Sequence, residues 1–212
     1  MLIASKLSHS FDYPLFDDLS FELSASRSTA IIGVSGSGKS TLLHILSSFL
    51  NPISGEVRYG DKSLYSLDQN ELLSVRRNDF GIIFQSHYLF RGFSGFENLK
   101  VANLLSRESL DDEIINRFGI ADVLHQQSST LSGGQQQRLS IARVLSKKPK
   151  VIFADEPTGN LDKETACDVM DSIFEYIYSR EASMLCVTHD SELAMRCDSV
   201  YKLQHGKLDR VK

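Results

Sequence analysis

Residues 33–40 read Gly-Val-Ser-Gly-Ser-Gly-Lys-Ser, with Thr41 next, and fit the pattern G-x-x-x-x-G-K-[ST] at every fixed position. A short β-prone stretch, Thr29-Ala30-Ile31-Ile32, leads in. Leu42, Leu43, Ile45, Leu46, Phe49 and Leu50 follow at helical spacing until Asn51-Pro52 stops the run. The glycines therefore lie between a buried strand and a helix start, the setting of a phosphate-binding loop. Gly33, Gly36 and Gly38, with Ser35 and Ser37 between them, let backbone N–H groups turn inward with no Cβ in the way. The helix N-terminus adds its dipole. Lys39 is placed to reach the β- and γ-phosphates as a point charge, and the Ser40 hydroxyl to ligate Mg²⁺. These residues predict nucleotide binding.

The bulk properties narrow the rest. A chain of 212 residues suits one domain, or a core with a smaller subdomain. Basic side chains number 23 against 27 acidic, and no basic stripe stands out, so no nucleic-acid partner is expected. The densest basic cluster, Lys147, Lys148 and Lys150, reads as a solvated turn before a strand. Cys167, Cys186 and Cys197 are odd in number and lack C-x-x-C spacing, which fits reduced thiols. Met1-Leu2-Ile3-Ala4 is too short for a signal peptide core. No apolar run approaches the roughly 20 residues of a spanning helix, so work at a membrane requires another chain to cross it.

Taken in order, residues 1–28 read as strands with a turn around Asp12-Tyr13-Pro14. Phe11 and Tyr13 each offer a ring that can stack on a base, but for either one alone a core or hairpin aromatic is the better reading. Residues 55–64 predict a hairpin and 69–77 a short polar helix. Gly81-Ile82-Ile83-Phe84-Gln85 is an apolar strand ending in an amide, where α/β folds place ligands. Gln85 there can reach a metal-bound water. Residues 86–130 change to helical stretches, 97–105 and 110–118, broken by Gly92, Gly95 and Gly119. This segment reads as a helical subdomain inserted into the α/β core.

Leu131-Ser132-Gly133-Gly134-Gln135 then opens a helix with a good N-cap and uncovered first N–H groups. Lys150-Val151-Ile152-Phe153-Ala154-Asp155-Glu156 is a buried strand ending in two carboxylates. Asp155 is suited to share Mg²⁺ with Ser40, and Glu156 to polarise a water aimed at the γ-phosphate. Residues 157–162 form a turn, followed by a helix to about Arg180. Met184-Leu185-Cys186-Val187-Thr188-His189 is another buried strand with a histidine at its tip. Residues 200–208 close as a hairpin around Gln204-His205-Gly206, leaving an expectation of no C-terminal regulatory domain. His9, His44, His87 and His125 have no comparable setting and read as surface or core residues.

With Leu131-Ser132-Gly133-Gly134-Gln135 between the phosphate loop and Asp155-Glu156, the chain resembles the ATP-binding cassette (ABC) ATPases from end to end. The resemblance implies an α/β fold: a P-loop NTPase core, RecA-like with a mostly parallel sheet, an N-terminal antiparallel β subdomain and an inserted α-helical subdomain. It implies one nucleotide-binding domain, with 1–85 and 131–212 as core and β subdomain and 86–130 as helical subdomain. ATP and Mg²⁺ are the implied cofactors, and the implied partner is a second copy facing head to tail. Each ATP would lie between one phosphate loop, residues Gly33, Ser35, Gly36, Ser37, Gly38, Lys39, Ser40 and Thr41, and the other copy's Ser132, Gly133, Gly134 and Gln135. Gln85 would be the Q-loop glutamine and a metal neighbour, Glu156 the catalytic base, His189 the switch histidine and Asp162 the D-loop aspartate at the dimer seam. The family pattern favours Phe11 over Tyr13 as the adenine-stacking ring.

Arg76-Arg77 ahead of Phe80-Gly81-Ile82-Ile83-Phe84-Gln85, and Glu156-Pro157-Thr158-Gly159-Asn160-Leu161-Asp162, are similar to the MacB/LolD-type cassettes of lipoprotein release, macrolide or peptide export and cell division. Ser128-Ser129-Thr130 departs from the proline-containing segment usual before the signature. The expected function is ATP hydrolysis coupled to an integral membrane permease that docks near the Q-loop and residues 86–105. The expected location is cytoplasmic, peripheral on the inner membrane through that partner. A division-site or mechanotransmission ATPase that moves no cargo uses the same chemistry and stays open; a cassette acting on DNA or ribosomes is the remote alternative.

Overall fold

In the computed structural model, which describes residues 1–212, three stretches buried at nearly every position form the middle of one sheet. The strands are β1 Leu2–Ser10, β2 Pro14–Leu23, β3 Ser28–Ile32, β4 Ser54–Tyr59 and β5 Lys62–Ser63. After them come β6 Phe80–Ile83, β7 Val151–Asp155, β8 Ser183–Thr188, β9 Ser199–Gln204 and β10 Lys207–Arg210. The larger sheet runs β10-β9-β3-β8-β7-β6 and the smaller β2-β1-β4-β5. In the larger, β9, β3, β8, β7 and β6 are parallel and only β10 is antiparallel. The smaller is antiparallel throughout. A parallel strand is covered on both faces, which is why β3, β7 and β8 lack the polar alternation of a half-exposed strand.

The helices are α1 Lys39–Leu46, α2 Gln69–Asn78, α3 Gly95–Ser106, α4 Asp112–Arg117, α5 Gly133–Leu145, α6 Lys163–Ser179 and α7 Ser191–Ala194. Successive strand side chains point to opposite faces, and the two hydrophobic cores follow that rule. Ala30, Ile152, Ala154, Met184 and Cys186 share one core with Ile141 and Leu145 of α5 and Met170 and Ile173 of α6. Ile31, Val151, Phe153, Leu185 and Val187 share the other with Leu42, Leu43 and Leu46 of α1 and with Phe21 and Leu23 of the smaller sheet. Each fully buried Leu, Ile or Phe contributes about 1.5–3 kcal/mol.

Helix starts differ in how they are capped. α2, α3 and α5 open with reciprocal capping boxes, Asp68 with Glu71, Ser94 with Glu97 and Ser132 with Gln135. α1 opens at Gly38 in the left-handed region, φ 97°, with no side-chain cap, so its first N–H groups point at whatever sits before the helix. Because β3, β6, β7 and β8 run the same way, their C-terminal tips meet along one edge. That edge carries the 33–38 loop, Gln85, Asp155-Glu156 and Thr188-His189, where ligands of open α/β sheets bind.

Some local expectations shift. β4 pairs β5 as the hairpin reading requires, but its longer partner is β1, from Leu2 opposite Tyr59 to Ser8 opposite Ser54. α4 starts later than 110 because the Asp111 side chain caps it by accepting from the Glu113 N–H. Lys147 is not solvated: its ammonium donates to the Arg76 and Phe80 carbonyls at 3.0 and 2.9 Å, and burial pushes its pKa down to about 8. No helix is long and apolar enough to cross a membrane.

Candidate functional site

The strand tips enclose a cavity of about 420 Å³. Its walls are Ser35, Gly36, Gly38, Lys39, Ser40 and Thr41 of the glycine loop, Gln85, Asp155, Glu156 and His189 of three strand tips, and Phe11, Tyr13 and Leu15. Gly33 and Ser37 stand behind the loop rather than in the cavity wall. A Cβ at Gly33 would lie 2.6 Å from the Leu203 carbonyl oxygen and 2.9 Å from Ser37 Oγ, so only glycine lets the loop leave β3 against β9. The Ser37 hydroxyl is buried without a hydrogen-bond partner, an unsatisfied polar group inside the cradle itself.

Lys39, although charged, is 92% buried by virtue of its 8% exposure, and its ammonium donates to the Gly33 and Val34 carbonyls at 2.9 and 3.0 Å. An ammonium has three donors, so one remains for a ligand oxygen. Ser40 Oγ donates to Asp155 Oδ1 at 2.9 Å. Burial raises the Asp155 pKa above the ordinary carboxylate value, while the Ser40 hydrogen bond and the charges of His44 and Lys39 pull it down. No three His, Cys, Asp or Glu side chains converge into a metal-binding group anywhere in the chain. A hydroxyl beside a single carboxylate suits a hard cation that keeps most of its shell as water and phosphate oxygen.

Glu156 has φ 47°, a left-handed conformation that costs a non-glycine residue about 1–2 kcal/mol. Its N–H is held by the Val187 carbonyl at 2.9 Å, and its carboxylate takes three donors at 2.9 Å: Thr188 Oγ, the His189 N–H and His189 Nδ1. A carboxylate only accepts, so His189 Nδ1 carries a proton and donates. About one of the four carboxylate lone-pair sites is left over. Thr188 escaped the sequence reading as a site residue; a hydroxyl at an apolar strand's tip, beside the histidine, was the available signal.

Other predicted residues lie elsewhere. Ser132 and Gly133 are exposed, and none of Ser132, Gly133, Gly134, Gln135 or Asp162 lines the cavity. The α5 and α6 starts stand side by side, since a Cβ at Gly134 would lie 3.7 Å from Leu161. Asp162 caps α6 by accepting from the Thr165 N–H at 3.0 Å, which holds its carboxyl below the usual range. Phe11 and Tyr13 both line the cavity, 61% and 57% exposed, so exposure does not separate them. Phe11 packs edge-on against His9, ring centroids 4.9 Å apart. Gln85 adjoins the turn after β7: its Nε2 is 3.3 Å from where a Gly159 Cβ would be, and its carbonyl accepts from Asn160 Nδ2 at 3.1 Å.

The sequence family described as ABC transporter matches residues 16–159, more than half of the chain. The chain belongs to the ABC transporter family. The cassette is 40% identical over 201 residues to the lipoprotein-releasing system ATP-binding protein LolD of Rickettsia bellii (strain RML369-C), spanning 92% of this chain and 89% of that one. It is 39% identical over 210 residues to LolD of Koribacter versatilis (strain Ellin345), spanning 96% and 94%. Its fold matches the dimeric structure of the ABC transporter cassette MJ0796 with a TM-score of 0.89 at 27% identity, covering 99% of this chain and 97% of that one. A post-hydrolysis dimer of MJ0796 bound to ADP and Pi matches with a TM-score of 0.90 over the same shares. The cassette is thus an ATP-binding, ATP-hydrolysing subunit of a transporter, on the α/β fold its motifs predict.

Proposed function

We propose that the cassette binds MgATP at the 420 Å³ cavity, closes on a second copy of itself and hydrolyses ATP to drive a membrane permease of the lipoprotein-releasing type. The observation that carries this reading is one cavity uniting the glycine loop, two carboxylates, a histidine and a glutamine. The loop N–H groups and Lys39 hold the triphosphate, and Phe11, with Tyr13 beside it, stacks on the base. Ser40 and Asp155, with Gln85 near them, would hold Mg²⁺, which when bound neutralises charge on the β- and γ-phosphate oxygens. Glu156 accepts the proton of the attacking water at its remaining lone pair, and His189, clamped to it through Nδ1, keeps the carboxylate aimed. Ser132, Gly133, Gly134 and Gln135 of the second copy complete the site over the γ-phosphate, with Asp162 at the seam. The dimeric form of the MJ0796 cassette supports that arrangement.

A second feature supports the permease. A groove of about 460 Å³ runs between the sheet and the helices of 86–130, lined by Phe49, Leu73, Phe90 and Leu105 and by Arg76, Arg77, Arg143 and Lys147, with no acidic side chain. Such a groove suits an amphipathic helix that brings apolar anchors and a carboxylate. The names of the LolD relatives support lipoprotein release as the task, a task carried out, on this reading, at the cytoplasmic face of the inner membrane through the partner.

Purification from detergent-solubilised native membranes tests this. An integral subunit with a large extracytoplasmic domain is expected in complex with the cassette. Phe49→Asp, altering a groove residue 58% exposed, should lower its recovery about tenfold with basal ATPase unchanged. Recovery of the wild-type cassette from the soluble fraction alone would contradict the reading.

A further inference from the structure

Gln137 is a polar side chain on α5, and it is 2% exposed. A buried amide is tolerated where both of its ends are paired, and here they are. Its Nε2 donates to the Pro157 carbonyl and its Oε1 meets His87 Nδ1, each at 2.5 Å. A carbonyl accepts only, so the nitrogen end of the amide must face Pro157. The oxygen end then faces His87, whose Nδ1 must carry its proton. The chain of bonds is directional: the His87 ring donates to Gln137, and Gln137 donates to the turn that follows the catalytic strand.

The same helix face holds the loop after β6 at two further points. Ser140 Oγ donates to the His87 carbonyl at 2.7 Å, and Arg143 Nη1 to the Tyr88 carbonyl at 2.8 Å. Residues 137, 140 and 143 are three apart and share a face. Glu156 is fixed through its N–H on Val187 and through its carbonyl, which accepts from the Gly159 N–H at 3.1 Å. The Pro157 carbonyl lies one residue further along the same turn, so the Gln137 bond holds the stretch of chain that follows this left-handed residue. An apolar side chain at 137 would fill the space and do none of this.

We propose that His87 and Gln137 are positioning residues for hydrolysis: the His87–Gln137–Pro157 chain holds the turn that aims the Glu156 carboxylate, and ties that aim to the loop after Gln85 and to the helix that begins at Ser132. The inference rests on the assignment of Glu156 as the base. It also gives a route by which a shift of the 85–88 loop alters turnover without touching nucleotide.

Steady-state ATPase measurements on the full chain test it. His87→Phe should lower kcat about tenfold with the KM for ATP within about twofold, because nucleotide contacts are untouched. His87→Gln, which restores an N–H donor, should recover at least about half of the wild-type rate. Gln137→Glu keeps the shape but cannot donate to the Pro157 carbonyl, and should lose as much as His87→Phe. It carries the test if the unfolding midpoint shows that His87→Phe fails to fold. In a Glu156→Gln background, His87→Phe should cost no more than about twofold further, since residues acting through one group are non-additive. Wild-type kcat in both His87→Phe and Gln137→Glu, a proportional rise in KM, or a tenfold loss that persists without Glu156 would overturn the proposal. With Glu156→Gln slowed about a thousandfold, any of those results leaves the base assignment standing; normal turnover in Glu156→Gln alone would overturn both.

Discussion

Glu156→Gln should hydrolyse ATP about a thousandfold more slowly than the wild type, with ATP affinity changed by no more than about twofold. General-base catalysis contributes about 10²–10⁴ in rate, and the amide cannot take a proton from water. The geometry argues for the full effect. Glu156 sits at the tip of β7 in a left-handed conformation, and Thr188 and His189 hold three of its acceptor positions. An amide there keeps an acceptor for the His189 donors, but its NH₂ end faces a donor on Thr188 or His189 and the clamp loosens. No other carboxylate in the cavity is free for the task, because Asp155 is bonded to Ser40 at 2.9 Å. Single-turnover hydrolysis with pre-bound ATP reads the chemical step directly. Near-normal turnover would remove Glu156 from the role of base.

Lys39→Ala should weaken ATP binding by about two orders of magnitude. A hydrogen bond to a charged group contributes about 1.5–3 kcal/mol, and the ammonium also acts through its charge on two phosphates at once. Lys39 is buried against the loop it serves, donating to the Gly33 and Val34 carbonyls. Its loss therefore frees the loop as well as removing the charge. An unfolding midpoint measured without nucleotide separates the two effects: a small drop reports the loop, and the lost nucleotide-dependent rise reports the binding. Unchanged ATP affinity, read by equilibrium titration, would contradict the loop assignment.

What the sequence disclosed follows from how local each feature is. The glycine loop is legible because three positions need glycine and the next two need Lys and Ser within one turn of chain. The tips at Gln85, Asp155-Glu156 and His189 are legible because each ends an apolar run with polar groups, and parallel strands bring such ends to one edge. Other features depend on long-range packing. Phe11 and Tyr13 flank the same cavity because the β1–β2 turn is aimed by a sheet whose β1 also pairs with β4. His87 has no distinguishing sequence setting, and its partner Gln137 lies 50 residues on. Only the packing of α5 against the β6 and β7 tips brings His87, Gln137 and Pro157 together. Lys147 misled for the same reason: three lysines around a proline look like surface, yet the Arg76 and Phe80 carbonyls draw one of them inward.

The central claim is that nucleotide is clamped between the glycine loop of one copy and the serine-capped helix of another. Sedimentation velocity of the Glu156→Gln protein, saturated with ATP and Mg²⁺, tests it most directly, run beside the same protein carrying Ser132→Arg. The account predicts a two-chain species for the first and a one-chain species for the second, because an arginine at the exposed α5 start blocks the approach to the triphosphate. A one-chain species in both, with ATP demonstrably bound, would contradict it.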